Sequence, residues 1–435
     1  MALTALTLPV LRQKAAAKIG PFLQGTVGSA TTTTIVDAAS HKLLRSSGQS
    51  SQKWVPSYLL RPAAVTASGV DRLRVVASYN PVTGTLTHGG PVYTDVTATS
   101  ETYELHPYLD PDDHYSGLLA AINNALTKKL YYRITRCPLT LVPDGDMETS
   151  GVTNWTATTL ATNAKATTAG TVFWGTQSLH TVTNAANGYD SSDAINVIEQ
   201  QGYYAEAICR AANATSTPSL IIYDFTNSAV IDTITASDIL GGVSDKQMEW
   251  ISLNVGFTAP SGCKQIKLRL AGTENGADIY WDSVTLLPQA QRQVVLPSWL
   301  TAKDLFVGAY WVMGNQPRQF QYQKLPVSSK DIAFGASDAD SATIDLGRRA
   351  TRRLVIDAWR PYTAFTTGAS ISEAESRTVD EGWALSAIAV EALGLIKAGN
   401  CLATYDGDID RELAEAQAEY LNQTRLNMRK EPRPL

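Results

Sequence analysis

Cysteine is scarce in this chain: four in 435 residues, at positions 137, 209, 263 and 401. No two of them stand at metal-ligand spacing, which excludes a zinc module or a disulfide scaffold and leaves buried free thiols made in a reducing cytoplasm. A Cys209–Cys263 bridge is the one alternative. Histidine is also sparse, five in all, with no ligand spacing; His106 and His114, on either side of an expected helix start, read as surface or capping residues. No run of 18 apolar residues exists, so no helix is expected to span a membrane, and the N-terminus lacks the basic stretch of a signal peptide. A strong charge of one sign is missing too. The net charge of −5 provides no general basic field to hold nucleic acid by counterion release. Nucleophile-elbow, P-loop, dinucleotide-binding and zinc-protease motifs are all absent, so no enzyme, and no cofactor chemistry, is expected.

What is present is β-rich. Arg72–Tyr79 and Thr85–Thr87 alternate around Asn80-Pro-Val-Thr-Gly84, the pattern of a β-hairpin. The Gly/Ser/Thr stretch 25–34 suits an extended arm or an edge strand. Two helical regions are expected, near 111–131 and 379–428. Asp110 and Pro111 would open the first, with Leu118, Leu119, Ile122 and Leu126 on one face. Asp380 and Glu381 would open the second, which Gly399 interrupts to make an αα-hairpin. Between 139 and 288 the texture changes to Thr, Ser, Asn and Gly with short apolar strands at regular intervals, the signature of a β-sandwich. The fold class is therefore mainly β with a C-terminal α-hairpin.

That middle segment carries an ordered set of features: Pro143-Asp-Gly-Asp-Met-Glu148, Trp155, Gly175-Thr-Gln-Ser-Leu179, Gly202-Tyr-Tyr and Asp278-Ile-Tyr-Trp-Asp282. The set resembles carbohydrate-binding-module jelly rolls. The resemblance implies a structural Ca²⁺ near the first and last strands, with Asp146, Glu148 and Asp282 as its candidate ligands. Trp281-Asp282 stands where that family has paired acids. A sugar platform would need exposed rings: Trp174 and Tyr189 lie in polar, loop-like sequence and are the leading candidates, with Tyr223 also plausible, whereas Trp155 and Trp250 read as core. Jelly rolls bring their two ends together and insert readily into other domains. A discontinuous β-rich host domain, 1–138 plus 289–435, interrupted by the inserted sandwich 139–288, is the expected organisation.

The flanks contain Tyr103-Glu-Leu-His-Pro107, Leu296-Pro-Ser-Trp-Leu300 and Glu381-Gly-Trp-Ala-Leu-Ser386. They are similar to strings in tailed-bacteriophage virion proteins. That resemblance implies a non-enzymatic, multi-copy ring component of the neck or tail, a homo-oligomer among other virion proteins. It would be assembled in the host cytoplasm, localised to the virion, and display its sandwich outward. The alternative is a host-surface glycan-binding receptor or fibre protein; a glycan depolymerase is the third class. The arginines at 348, 349, 352 and 353 suit ion pairing with a neighbouring subunit. The lining of a virion channel is the only setting in which nucleic acid would be met.

Overall fold

The computed structural model describes residues 4–37, 55–61, 72–80, 83–92, 101–240, 249–289, 291–297, 300–301, 304–314, 316–334, 342–346, 353–367, 371–405 and 407–428. The chain forms two compact units, one from residues 1–132 with 361–435 and one from 133–360. The fold is mainly β with a C-terminal helix pair, and the second unit is built on a jelly-roll sandwich.

In the first unit, strand Thr4–Thr7 pairs antiparallel with Ser376–Val379 and ties the beginning of the chain to its last quarter. Helices Leu8–Ile19, Leu118–Lys128 and Glu381–Lys397 share one core with part of helix Ile409–Met428. Asp380 caps the third of these helices by accepting the Trp383 N–H at 2.9 Å. Gly399, at φ +87°, sits just past its end in the left-handed conformation that a non-glycine residue would resist. The Trp383 indole N–H donates to Thr424 Oγ1 at 2.9 Å and locks the two helices of the hairpin together. A seven-stranded sheet completes the unit, and its Leu73–Asn80 and Thr85–Gly89 strands form the expected hairpin, turning at Gly84 with φ +66°.

Two expectations in this unit are corrected. The earlier of the two expected helices begins at Leu118, not near 111. Asp110 Oδ1 instead accepts the N–H groups of Asp112 and Asp113, and Asp113 accepts those of Tyr115 and Ser116. Successive Asx turns thus use the carboxylates that a helix would have used as caps. His106 is buried rather than at the surface. Its Nε2–H donates to Glu104 at 2.9 Å, and Arg12, fully buried, grips the same carboxylate through two 2.9 Å bonds. Burial opposes the Glu104 charge, but the bonds from Arg12 and His106 outweigh it and hold the carboxyl well below its ordinary range.

The second unit contains the sandwich strands β1 (Trp155–Ala157), β2 (Ala161–Ala166), β3 (Ser178–Thr183), β4 (Gly188–Ser192), β5 (Ile195–Asn196), β6 (Gly202–Ala211), β7 (Pro218–Asp224), β8 (Ala229–Thr235), β9 (Ile251–Thr258), β10 (Gln265–Gly272) and β11 (Asp278–Pro288). One sheet has the order β1-β4-β10-β7-β8, with β5 also on β10; the other runs β2-β3-β11-β6-β9. Alternation buries Leu220 and Ile222 of β7, Ile266, Leu268 and Leu270 of β10, and Ala205, Ala207 and Cys209 of β6 between the sheets. Trp155 joins this core, its indole N–H donating to the Asp144 carbonyl at 3.2 Å. Trp250 is half-buried against Phe173. All four cysteines are free thiols, three of them buried.

Leu141 N–H donates to the Leu286 carbonyl at 3.0 Å, so the segment entering the sandwich runs alongside its last strand. The sandwich core extends from Val142 to Leu286. The compact unit is larger than 139–288, however, because the strands after 289 gather on a core that includes Cys137, Leu139 and Leu287. Those strands form a four-stranded sheet (Gln321–Lys324, Leu305–Met313, Leu354–Pro361, Tyr131–Pro138) and a three-stranded one (Gln293–Val295, Thr343–Asp345, Ile332–Ala333). Residues 133–138 and 289–360 thus belong to the sandwich's own unit.

Candidate functional site

On the first sheet, β10 lies between β4 and β7. Its inward residues Ile266, Leu268 and Leu270 are fully buried, so Lys267 and Arg269 point outward. The same alternation turns Asp190 inward on β4 and Tyr189 outward, and turns Ile222 inward on β7 and Tyr223 outward. The two tyrosines therefore flank the arginine from neighbouring strands. The Arg269 guanidinium carbon lies 3.3 Å from the centroid of the Tyr223 ring and 4.5 Å from that of Tyr189. Lys267 extends its ammonium to 4.6 Å from the Phe225 ring centroid.

Stacking on rings is the main contact these cations make. Arg269 and Lys267 form no ion pair among the described residues, and Arg269 Nε is buried without an acceptor. A cation–π contact lowers a cation's energy without neutralising its charge. Nor does either tyrosine hydroxyl take a hydrogen bond among the described residues. The outward positions of β4, β10 and β7 include no carboxylate. The result is a half-exposed patch of two phenol rings around a guanidinium, with phenol hydroxyls and Nη N–H groups open to a ligand.

The outer face of the second sheet is covered around Asp282 and Glu206, while Tyr280 and His180 on it stay part-exposed. The loop after β2 folds across it: Asp282 Oδ2 accepts the N–H groups of Phe173 at 2.8 Å and Trp174 at 3.0 Å. The Trp174 indole donates to the Thr135 carbonyl at 2.7 Å, and the ring packs on the core of the 289–360 strands. Phe173 meets Trp250 and Phe320. Glu206, 2% exposed, accepts the Ser252 hydroxyl at 2.5 Å and faces Arg353 at 3.6 Å. Of the two rings singled out in the sequence, Tyr189 is thus on the open face and Trp174 under the covered one; the structure does not bring them together. Arg353 pairs within its own chain, while Arg348, Arg349 and Arg352 lie outside the described residues.

The calcium candidates Asp146, Glu148 and Asp282 have other partners for most of their oxygens, while Asp282 Oδ1 is buried without one among the described residues. Glu148 gives Oε1 to the N–H groups of Thr176 and Gln177, at 2.8 and 3.0 Å, and Oε2 to the Thr176 hydroxyl at 2.7 Å. Burial, with the charge of Glu148 adding to it, pushes Asp282 up to about 7, and burial raises Asp146 as well. Calcium takes several oxygens converging on one point. Among the described residues no three acidic, histidine or cysteine side chains converge in that way. The cation found in this region is Lys165. Its ammonium donates at 2.7 Å to Asp144 Oδ2 and at 2.7 Å to the Met147 carbonyl, with both side chains buried.

A cleft of about 440 Å³ lies among the 289–360 strands, where Arg292 and Lys324 are balanced by Asp331 and Asp345 and no aromatic ring is present. The open sheet face is the stronger candidate because it combines rings with uncompensated charge. Lys267 and Arg269 were not singled out in the sequence. Their signal was the Gln-Ile-Lys-Leu-Arg-Leu alternation, which sets two cations on one face of a strand.

No family model and no curated protein sequence matches the chain. Among solved structures, the enzymatically active domain of bacteriophage CBA120 tailspike protein 4 is similar at 14% identity and TM-score 0.27, over 34% of this chain and 21% of that one. The match therefore spans about a fifth of the tailspike domain. TmCBM61 in complex with β-1,4-galactotriose is similar at 11% identity and TM-score 0.27, over 34% of this chain and 98% of that one. A family 16 carbohydrate-binding module is similar at 15% identity and TM-score 0.26, over 34% and 99%. No helix among the described residues is long and apolar enough to cross a membrane.

Proposed function

We propose that the protein binds glycan, without catalysis, on the outer face of the first sandwich sheet. The observation that carries the reading is the Tyr189–Arg269–Tyr223 stack, left open on one face of the sandwich while the loop after β2 covers part of the other. Ring faces pack on the C–H surfaces of pyranoses, and the free phenol hydroxyls and the guanidinium edge supply hydrogen bonds to sugar hydroxyls. Affinity electrophoresis of the full chain through gels containing soluble polysaccharides tests this. Retardation in at least one gel, lost in Tyr189→Ala and Tyr223→Ala, is the expected result. Unretarded migration in every gel, or retardation that both variants keep, would refute the reading.

A second reading concerns the setting. The resemblance of the flanking segments to tailed-phage virion proteins supports a particle-borne role, as a multi-copy neck or tail component that turns this face to a host surface glycan. Strand Thr4–Thr7 pairs with Ser376–Val379 and so joins the two sequence segments of the first unit, which suits a carrier for an inserted module. Light scattering on the purified chain tests the multi-copy part: a ring-sized oligomer supports it, and a monomer at all concentrations contradicts it.

A further inference from the structure

We infer that the glycan is acidic, a polysaccharide with a carboxylate on its sugar rings; this rests on the glycan reading above and narrows it. A site for a neutral sugar has no need of a cation without a counter-ion, and the buried Arg269 Nε, without an acceptor, carries a desolvation cost. This face holds two such cations, Arg269 and Lys267, on adjacent outward positions of one strand, in a chain whose net charge is −5. No acidic residue occupies an outward position on β10 or on the strands flanking it. Arg269 is also held in one particular way. With the guanidinium over Tyr223 at 3.3 Å and beside Tyr189 at 4.5 Å, and Nε buried, only its two Nη groups can donate to a ligand. An edge-on guanidinium meets a planar carboxylate through two parallel hydrogen bonds, a geometry an ammonium cannot copy. The tyrosines would cover the pyranose ring bearing that carboxylate, and Lys267 would meet the acid of a neighbouring residue along the polymer.

Sulfated sugars share the negative charge but not the planar two-oxygen fork, so the experiment separates the two sources. Binding of the full chain is measured by calorimetry to polygalacturonate or alginate, to the same polymer after carboxyl reduction, and to dextran sulfate. The uronate polymer is expected to bind at least about tenfold more tightly than its reduced form. Arg269→Lys keeps the charge and loses the fork; it should abolish most of that preference. Lys267→Gln should reduce it severalfold, and circular dichroism confirms that each variant is folded. Equal affinity for the uronate polymer and its reduced form, both lost in Tyr223→Ala, would overturn the acidic inference and leave the glycan reading standing. Tighter binding to dextran sulfate, unaffected by Arg269→Lys, would also overturn it by revealing diffuse charge attraction. Failure to bind the uronate polymer would overturn the acidic inference and leave the glycan reading to the wider set of polysaccharides, whereas binding that Tyr189→Ala and Tyr223→Ala leave intact would remove the site and the inference together.

Discussion

The two outer faces of the sandwich begin with similar materials, aromatic rings beside charged side chains on a twisted sheet, and end differently. On the second sheet Glu206 meets Arg353, Asp282 takes two backbone amides, and the Trp174 indole is bonded to Thr135. On the first sheet Arg269 and Lys267 rest on rings without an anion among the described residues, and the hydroxyls of Tyr189 and Tyr223 take no hydrogen bond among them. A polar group whose partner comes from its own chain contributes to the fold. One whose partner is missing is ready for something from outside. Residue type alone does not separate these cases, because a tryptophan lies on the structural face and tyrosines on the open one.

The comparison can be broken by substitutions that should act on one side only. The largest effect is expected at the buried ion pair next to the covered loop. Lys165→Met removes the ammonium from Asp144 and leaves a carboxylate stranded in the interior, so denaturant unfolding should show a loss of about 3–5 kcal/mol in the second unit. Trp174→Ala should follow, at about 2–4 kcal/mol, from lost packing and an unpaired Thr135 carbonyl. It should leave polysaccharide binding unchanged in the fraction that folds. Tyr223→Ala should do the reverse, abolishing binding for a stability change within about 1 kcal/mol. If Trp174→Ala abolished binding and Tyr223→Ala did not, the assignment of the two faces would be inverted.

A smaller effect comes from pH. Asp190, inside the sandwich between Thr181 and Asn163, is pushed up to about 7 by burial. The folded protein then keeps a proton that the unfolded chain releases near 3.8, so between those values the folded state binds more protons. Stability from this group is complete below pH 3.8 and disappears as pH rises through 7. Thermal unfolding from pH 5 to pH 8 should show its share, about 2–3 kcal/mol, and Asp190→Asn should flatten that slope. Asp282 acts in the same direction. The smallest effect is expected from a chelator: with Lys165 as the cation beside Asp144, excess EDTA should leave the unfolding midpoint unchanged, and a clear drop would restore a metal to the account.

Much of the strand pattern was legible in the sequence because alternation is local. The sandwich core from Val142 to Leu286 falls just within the expected 139–288. Coverage was not legible. Trp174 and Tyr189 both stand in polar sequence, and what separates them is the backbone of Thr135 and the strands after 289, far away along the chain. Arg269 was hidden for the same reason: its place in an alternating strand is readable, but its two stacking partners come from β4 and β7. His106 followed this rule in the first unit, where Arg12 and Glu104 turn a residue expected at the surface into part of the interior.

Hydroxyl-radical footprinting of the full chain, with and without a polysaccharide that it binds, addresses the central claim most directly. Tyr189 and Tyr223 should lose reactivity on binding, while Tyr280, on the opposite sheet and stacked on His180, should keep it. Protection of Tyr280 with Tyr189 and Tyr223 unchanged would contradict the account.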